Sequence, residues 1–262
     1  MAHFSKDPSL LSAFAEGKDL HGNTAVMMFG LPCHANEVKK LYPNQRQVGK
    51  VIAFLLQYGG SAMTLYETLT AQGEDLDGKA KEYKCRNGKE VAQKYMDMYF
   101  DGFKGIATFM RNQKKFAHRH EYVNTLVGRK RRLPEINSSN FGVSAYNERL
   151  SINACIQGSG ADIMINAQNR IEGTNPCEVT KHFLKDEGLD TKFVASQRLK
   201  ELGCEMLVQI HDELLFSCPE ENCEEAIKLI RDCMIYPFGE DVHLNVGLEV
   251  GAGFSRSYQG GH

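Results

Sequence analysis

Residues 208–216 read VQIHDELLF. Two apolar runs flank His211, Asp212 and Glu213, three consecutive polar or ionisable side chains. A single buried strand would not carry them, because burying an unpaired charge is costly. The stretch therefore reads as the middle of a hairpin. Residues 205–210 form one strand, 213–218 the next, and His211-Asp212 the tight turn between them. Two carboxylates at such a tip are a rigid anchor for a hard divalent cation such as Mg²⁺. The same pair also suits a solvent-exposed turn, since Asp is a good turn former.

Outward from the hairpin, the chain reads as helical. Residues 220–234 form a helix, and 244–250 a last strand before a tail. Upstream, 145–170 is one long helix, and 177–202 is helical with a break near residues 187–189. Residues 9–15 are a short helix, and Asp19 caps another that begins near Leu20. After Pro43, Asn44 caps a helix in which Val48, Val51, Ile52, Leu55 and Leu56 recur at spacings of three and four. Gly59-Gly60 stops it. A helix follows over 61–72, then a polar connection over 73–90. Residues 91–118 read as one helix weakened by Gly102 and Gly105. Residues 121–134 suggest a short hairpin ending in a basic turn. A helical body with a small antiparallel sheet late in the chain is an α+β pattern.

The 262 residues suffice for a substantial core. Net charge is −2, so the total argues for neither nucleic acid nor membrane. The charge is uneven, however. Residues 111–132 carry eight Lys and Arg, and such a block focuses a local field. Eight Cys are scattered without a CxxC pair, which reads as reduced, mostly buried thiols. No run of 18 apolar residues and no leader pattern is present.

Three further constellations carry chemistry. Arg46, Lys50, Phe54 and Tyr58 stand four apart on one helix face: two cations for a polyphosphate, two rings for a sugar or base. An amphipathic helix with Phe54 buried is the plain alternative. Arg149, Asn153 and Gln157 repeat the spacing with groups that suit phosphate and base edges. Gly158-Ser159-Gly160 follows them and permits something to approach closely. Gly128 precedes Arg129, Lys130, Arg131 and Arg132, a run that suits nucleic-acid backbone. A solvated loop is the alternative there.

In order along the chain, LHGNTA (20–25), the Arg46–Lys50–Phe54–Tyr58–Gly59 spacing, GRKRRLPEIN (128–137), the Arg149–Asn153–Gln157–Gly158–Ser159 helix and QIHDE (209–213) resemble the family A DNA polymerases. That is the bacterial DNA polymerase I type, with its phage relatives. The resemblance implies a palm-to-fingers segment over 1–30, fingers over 31–120 and palm over 121–262, with the catalytic hairpin at 205–218. It implies helical fingers beside a small palm sheet in an incomplete right-hand fold. Arg46, Lys50 and His21 would meet the triphosphate of a deoxynucleoside triphosphate, with Lys50 protonating the departing pyrophosphate. Phe54 would lie by the sugar and Tyr58 by the base. Arg129, Arg131, Arg132, Arg149, Asn153, Gln157 and His211 would hold primer–template DNA. Asp212 would bind catalytic Mg²⁺ with Glu213 beside it. A cytoplasmic setting in a bacterial or phage-infected cell follows.

The family's first catalytic motif, with its second metal-binding Asp, falls before His3. The expectation is therefore a C-terminal polymerase part completed by a separate N-terminal polypeptide. The alternative is a truncated, inactive fragment with residual DNA binding. An exposed strand edge is expected with either. Gly49, Leu55 and Gln57 depart from the family pattern, for reasons the sequence does not reveal.

Overall fold

In a computed structural model of the chain, the residues described are 1–174, 176–186, 197–240, 242 and 244–257. They fall into two compact units, Met1–Val123 with Arg131–Ala154 and Asn124–Lys130 with Cys155–His262. Helices dominate both, and two two-stranded sheets accompany them, as the α+β reading expects.

The first unit begins with α1 (Ala2–Ser5), α2 (Pro8–Ala15) and α3 (Leu20–Phe29). Asp7 and Asp19 each accept hydrogen bonds from the first backbone N–H groups of the helix that follows. These are the groups a helix start leaves without internal partners. A 3₁₀ turn (Ala35–Glu37) and α4 (Val38–Leu41) lead into α5 (Pro43–Gln57). The predicted cap of α5, Asn44, is two residues late: Tyr42 is the flanking residue and Pro43 occupies the first turn. Proline costs nothing there, because its missing N–H would have no helical acceptor. The predicted stripe is realised, with Val48, Val51, Ile52 and Leu56 buried. Gly59, at φ +80°, takes the left-handed step that ends the helix.

α6 (Ala62–Ala71) and α7 (Gly88–Gly102) complete the packing around Leu65, Leu69, Tyr95 and Tyr99, all buried. The expected single helix over 91–118 is two: α7 stops at Gly102 and α8 (Lys104–His120) starts after Phe103. The break has a cause. Asp7, 1% exposed, accepts a 2.7 Å hydrogen bond from the Gly105 backbone N–H as well as capping α2. A Cβ at Gly105 would lie 2.7 Å from the Asp7 Cα, so only glycine lets the backbone come this close.

After α8 come β1 (Tyr122–Asn124) and β2 (Lys130–Arg132). The hairpin is as expected, but the basic residues Lys130, Arg131 and Arg132 lie on the second strand and not in the turn. α9 spans Phe141–Glu172, longer at both ends than the predicted 145–170. Asn140 explains the earlier start, because its side chain accepts from the N–H groups of Gly142 and Val143.

In the second unit, α10 (Glu178–Asp186) and α11 (Gln197–Glu201) precede β3 (Glu205–Ile210) and β4 (Glu213–Ser217). The break predicted near 187–189 lies outside the described residues. A 3₁₀ turn (Glu220–Asn222) and α12 (Cys223–Ile235) follow. The helix over 220–234 is confirmed in its main part. The strand expected at 244–250 is not formed among the described residues, where that stretch has no ladder partner. Alternating apolar residues favour extension, but a strand is stable only with a neighbour to pair. The thiols are also not mostly buried: of the eight cysteines only Cys155 and Cys233 are. Among the described residues, no helix is long and apolar enough to cross a membrane.

Candidate functional site

In the first unit the α5 face presents the predicted ladder, held by α3. The Arg46 guanidinium meets Asp19 twice, at 2.5 Å from Nε and 3.1 Å from Nη2. Burial pulls the Asp19 carboxyl upward. The hydrogen bond from Arg46, its charge and the N–H groups of Gly22 and His21 outweigh this, and the group ends below its ordinary range. One carboxylate thus caps α3 and orients the first cation of the ladder. Lys50 is exposed and its ammonium lies 5.9 Å from the centre of the Phe54 ring. Phe54 is 48% exposed, so it faces outward and is not the core residue of the plain amphipathic reading. His21 stands 5.6 Å from it, ring centre to ring centre. Burial, then the nearby Arg46 charge, push the His21 pKa down against the pull of Asp19. Its Nδ1 is a buried polar atom without a hydrogen-bond partner.

The ladder continues into an open pocket of about 420 Å³ lined by Phe54, Leu55, Tyr58, Gly60, Ser61, Thr64 and Arg149. Arg149 comes from the first part of α9 and stacks its guanidinium 5.9 Å from the Tyr146 ring centre. Gly59 allows this approach, since a Cβ there would sit 3.2 Å from the Arg149 Cγ. Asn153, one turn on, keeps its side-chain oxygen buried and without a partner.

Two departures noted in the sequence gain causes here. A Cβ at Gly49 would lie 3.3 Å from the Ala25 N and the His21 carbonyl, so glycine lets α5 lie close on α3. Gln57 donates a 3.2 Å hydrogen bond to the hydroxyl of Tyr99, a ring the core buries completely. Leu55 lines the pocket, as stated, and has no further role that the packing explains.

In the second unit the basic run divides. Arg129 is an anchor: its guanidinium contacts Asp162 at 2.8 Å and the Gly158 carbonyl at 3.1 Å. What approaches Gly158 is therefore the chain's own hairpin turn. A Cβ on Gly158 would lie 2.6 Å from Thr125 Cγ2, and Ser159 accepts from the Leu126 N–H at 2.8 Å. In the sequence Ser159 stands only as part of a motif, and Asp162 carries no signal of its own. Their anchoring role needed the hairpin to be seen folded back on α9. Gln157 is exposed, as are Arg131 and Arg132 in the first unit.

β3 and β4 pair antiparallel, with Ile210 opposite Glu213. His211 and Asp212 thus form the two-residue turn. His211 sits at φ 55°, in the left-handed region that primed hairpin turns require. The Gln209 side chain donates to the His211 carbonyl at 2.8 Å and accepts from Gln168 of α9 at 2.9 Å. Leu214 and Phe216 pack on a core of Ile171, Leu199, Leu202, Ala226 and Ile230. Asp212 and Glu213 are exposed at the tip. Among the described residues, no three His, Cys, Asp or Glu converge into a closed metal cage. Two adjacent carboxylates remain hard oxygen donors of the kind Mg²⁺ takes, together with substrate phosphates and water.

The chain is 32% identical over 262 residues to DNA polymerase I of Rhizobium leguminosarum, covering 100% of the chain and 22% of that protein. It is 29% identical over 250 residues to the thermostable DNA polymerase I of Thermus aquaticus, covering 95% of the chain and 25% of that protein. The chain thus spans about a quarter or less of these relatives. A solved structure, the POL domain of Pol1 from M. smegmatis in complex with DNA primer–template and dNTP, superposes with a TM-score of 0.71. Its sequence is 31% identical, over 99% of this chain and 38% of that one. The family profile described as DNA polymerase family A matches residues 1–260, nearly the whole chain, and the chain belongs to that family.

Proposed function

We propose that the chain carries the nucleotide-binding fingers and part of the palm of a DNA-directed DNA polymerase. The reaction would transfer deoxynucleotides to a primer 3′ end. The observation that carries the reading is the outward face of α5. There Arg46, Lys50 and His21 lie along the helix beside Phe54, whose exposed ring lines an open pocket.

The roles follow from the chemistry of the groups. Lys50 and Arg46 supply positive charge for a triphosphate, and Lys50 is placed to give a proton to the departing pyrophosphate. Asp19 holds Arg46 oriented before the nucleotide arrives. His21 offers a neutral ring near the phosphate tail, consistent with its lowered pKa. Phe54 bears on the sugar, and Tyr58 with the pocket floor on the base. Arg149, Asn153, Gln157 and His211 serve primer–template contacts near the insertion point. The exposed Arg131 and Arg132 serve the backbone, and Arg129 orders the segment that presents them. Asp212 and Glu213 would hold Mg²⁺, and the bound ion would supply charge stabilisation to the oxygens of an in-line displacement. Holding two ions would need a further carboxylate besides these two.

Primer extension by the assembled enzyme tests this. Asp212→Ala should lower the rate by about 10²–10³-fold, as loss of one charge-stabilising group does. Lys50→Ala should weaken deoxynucleoside triphosphate binding by about tenfold or more, matching a lost charge-assisted hydrogen bond. Unchanged extension in the first variant and unchanged nucleotide affinity in the second would reject the reading.

A further inference from the structure

Three of the eight cysteines converge at the open end of the β3–β4 hairpin, on the side away from Asp212. The ladder pairs Glu205 with Ser217. The next residues outward on the two strands are Cys204 and Cys218. Directly opposed residues of an antiparallel pair have Cα atoms about 4.5–5.5 Å apart. That lies inside the range of about 4.4–6.8 Å that a disulfide spans. Both thiols are only partly buried.

The backbone around them is braced in this arrangement. Asn222 donates to the Leu202 carbonyl at 2.9 Å, and the Cys204 N–H donates to the Leu199 carbonyl at 3.0 Å. Gly203 takes the left-handed step at φ +67°, and a Cβ on it would lie 3.3 Å from Pro219 Cγ. The third thiol, Cys223, lies beside Cys218 from its other side, with its Sγ pointing at the carbonyls of Pro219 and Cys218, at 3.5 and 3.9 Å.

We infer that Cys204 and Cys218 are a redox modification site, closing reversibly into a disulfide across the base of the hairpin. The oxidant is a small-molecule disulfide, RSSR. The Cys204 thiolate attacks one sulfur of RSSR, forming Cys204–S–S–R and releasing RS⁻. The Cys218 thiolate then attacks the Cys204 sulfur, forming the intramolecular bond and releasing the second RS⁻. The two protons lost by the cysteines end on two RSH, and the two electrons gained by RSSR come from the cysteine pair. Burial raises both thiols, Cys218 to about 12. The neighbouring Cys218 thiol opposes the rise at Cys204, so Cys204 is raised less than Cys218 and is assigned as the attacking thiol. Closure is therefore slow at neutral pH and quickens as pH rises.

The test reads thiols and needs no polymerase activity, so it stands or falls apart from the function proposed above. The folded chain is incubated with oxidised glutathione and blocked with N-ethylmaleimide. It is then cut with a Glu-specific protease, which cleaves after Glu205, Glu213, Glu221 and Glu224 and puts the three thiols on separate peptides. The expected result is the loss of two free thiols and one dominant cross-link, Cys204 to Cys218. Dithiothreitol should reverse it, Cys223→Ser should keep it and Cys204→Ser should abolish it. A dominant link through Cys223, stable glutathione adducts in place of a link, or the same pairing pattern from chain unfolded in guanidinium would each overturn the inference.

Discussion

The α5 face and the β3–β4 hairpin both carry predicted chemistry, yet they are held in different ways. α5 is fastened from several sides: Asp19 grips Arg46, Gly49 seats the helix on α3, and Gln57 reaches the buried Tyr99 hydroxyl. The hairpin is held on one face by Leu214 and Phe216, and near its tip by Gln168. Its other strand leaves Leu207 58% exposed, with Val208 and Ile210 also open. Among the described residues β3 and β4 pair only with each other. The difference is physical. A helix satisfies its own backbone and needs neighbours only for its stripe, whereas a strand needs neighbours for its backbone too. A binding face can therefore be organised within one unit, while a two-stranded hairpin gains rigidity from whatever else pairs with it.

The largest expected effect is a truncation at the seat of α5. Ile52→Ala, at a position with 0% exposure, should cost about 2–5 kcal/mol in urea unfolding, from lost burial and a cavity. A cost below 1 kcal/mol would mean the α5 seat is looser than it looks. Next comes the double duty of Asp19. Asp19→Ala should cost about 1–2 kcal/mol by removing the cap of α3 and the Arg46 partner together. Asp19→Asn should keep most of the capping share, since Asn is a good cap. Because the Asp19 pKa is depressed, its contribution is present above the ordinary value of 3.8 and fades as pH falls through the lower folded value. The wild-type acid limb of a thermal-melt series should therefore be steeper than that of Asp19→Asn.

A smaller effect lies where α8 meets α9. His118 has Asn137 Oδ1 at one ring nitrogen and Glu148 Oε1 at the other, both at 2.9 Å. Asn137 is turned so that its NH₂ donates to the His118 carbonyl and to Glu121. Both ring nitrogens thus face acceptors, which favours the imidazolium. The hydrogen bond to Glu148, then that to Asn137, raise the His118 pKa against burial and the Lys114 charge. This stabilisation is full below pH 6.5 and is lost as pH rises through the higher folded value. His118→Gln should flatten the stability profile in that window by about 0.5 kcal/mol, a small figure because the pair is partly solvated. An unaltered profile would assign the slope to other groups. The smallest effect belongs to the hairpin's open strand. Leu207→Ser should change unfolding stability by less than about 0.5 kcal/mol while lowering self-association in gel filtration. A large stability loss would show that Leu207 is packed in solution and would erase the contrast with Ile52.

Much of this molecule is legible without coordinates. The stripe of α5 and the cap of α3 are local, set by spacing and by the donors a helix start leaves open. The β3–β4 turn is equally local, because only a turn tolerates His-Asp-Glu between apolar runs. That the α5 ladder residues share one face also follows from periodicity, since residues at i,i+4 are neighbours, but only the fold turns Phe54 outward. Other features depend on partners distant in sequence. Gly105 breaks a helix because Asp7 lies against it, and Gly158 is small because Thr125 folds onto it. Arg129 looks like a phosphate ligand in the sequence and is an anchor in the fold, because Asp162 lies within reach. The stretch 244–250 alternates like a strand but has no described partner. Sequence alone determined which segments bend, coil and cap, because those preferences are paid within a few residues. Only the tertiary structure decided which charges are occupied, which glycines are spacers and which thiols are neighbours, because those depend on what arrives from elsewhere in the chain.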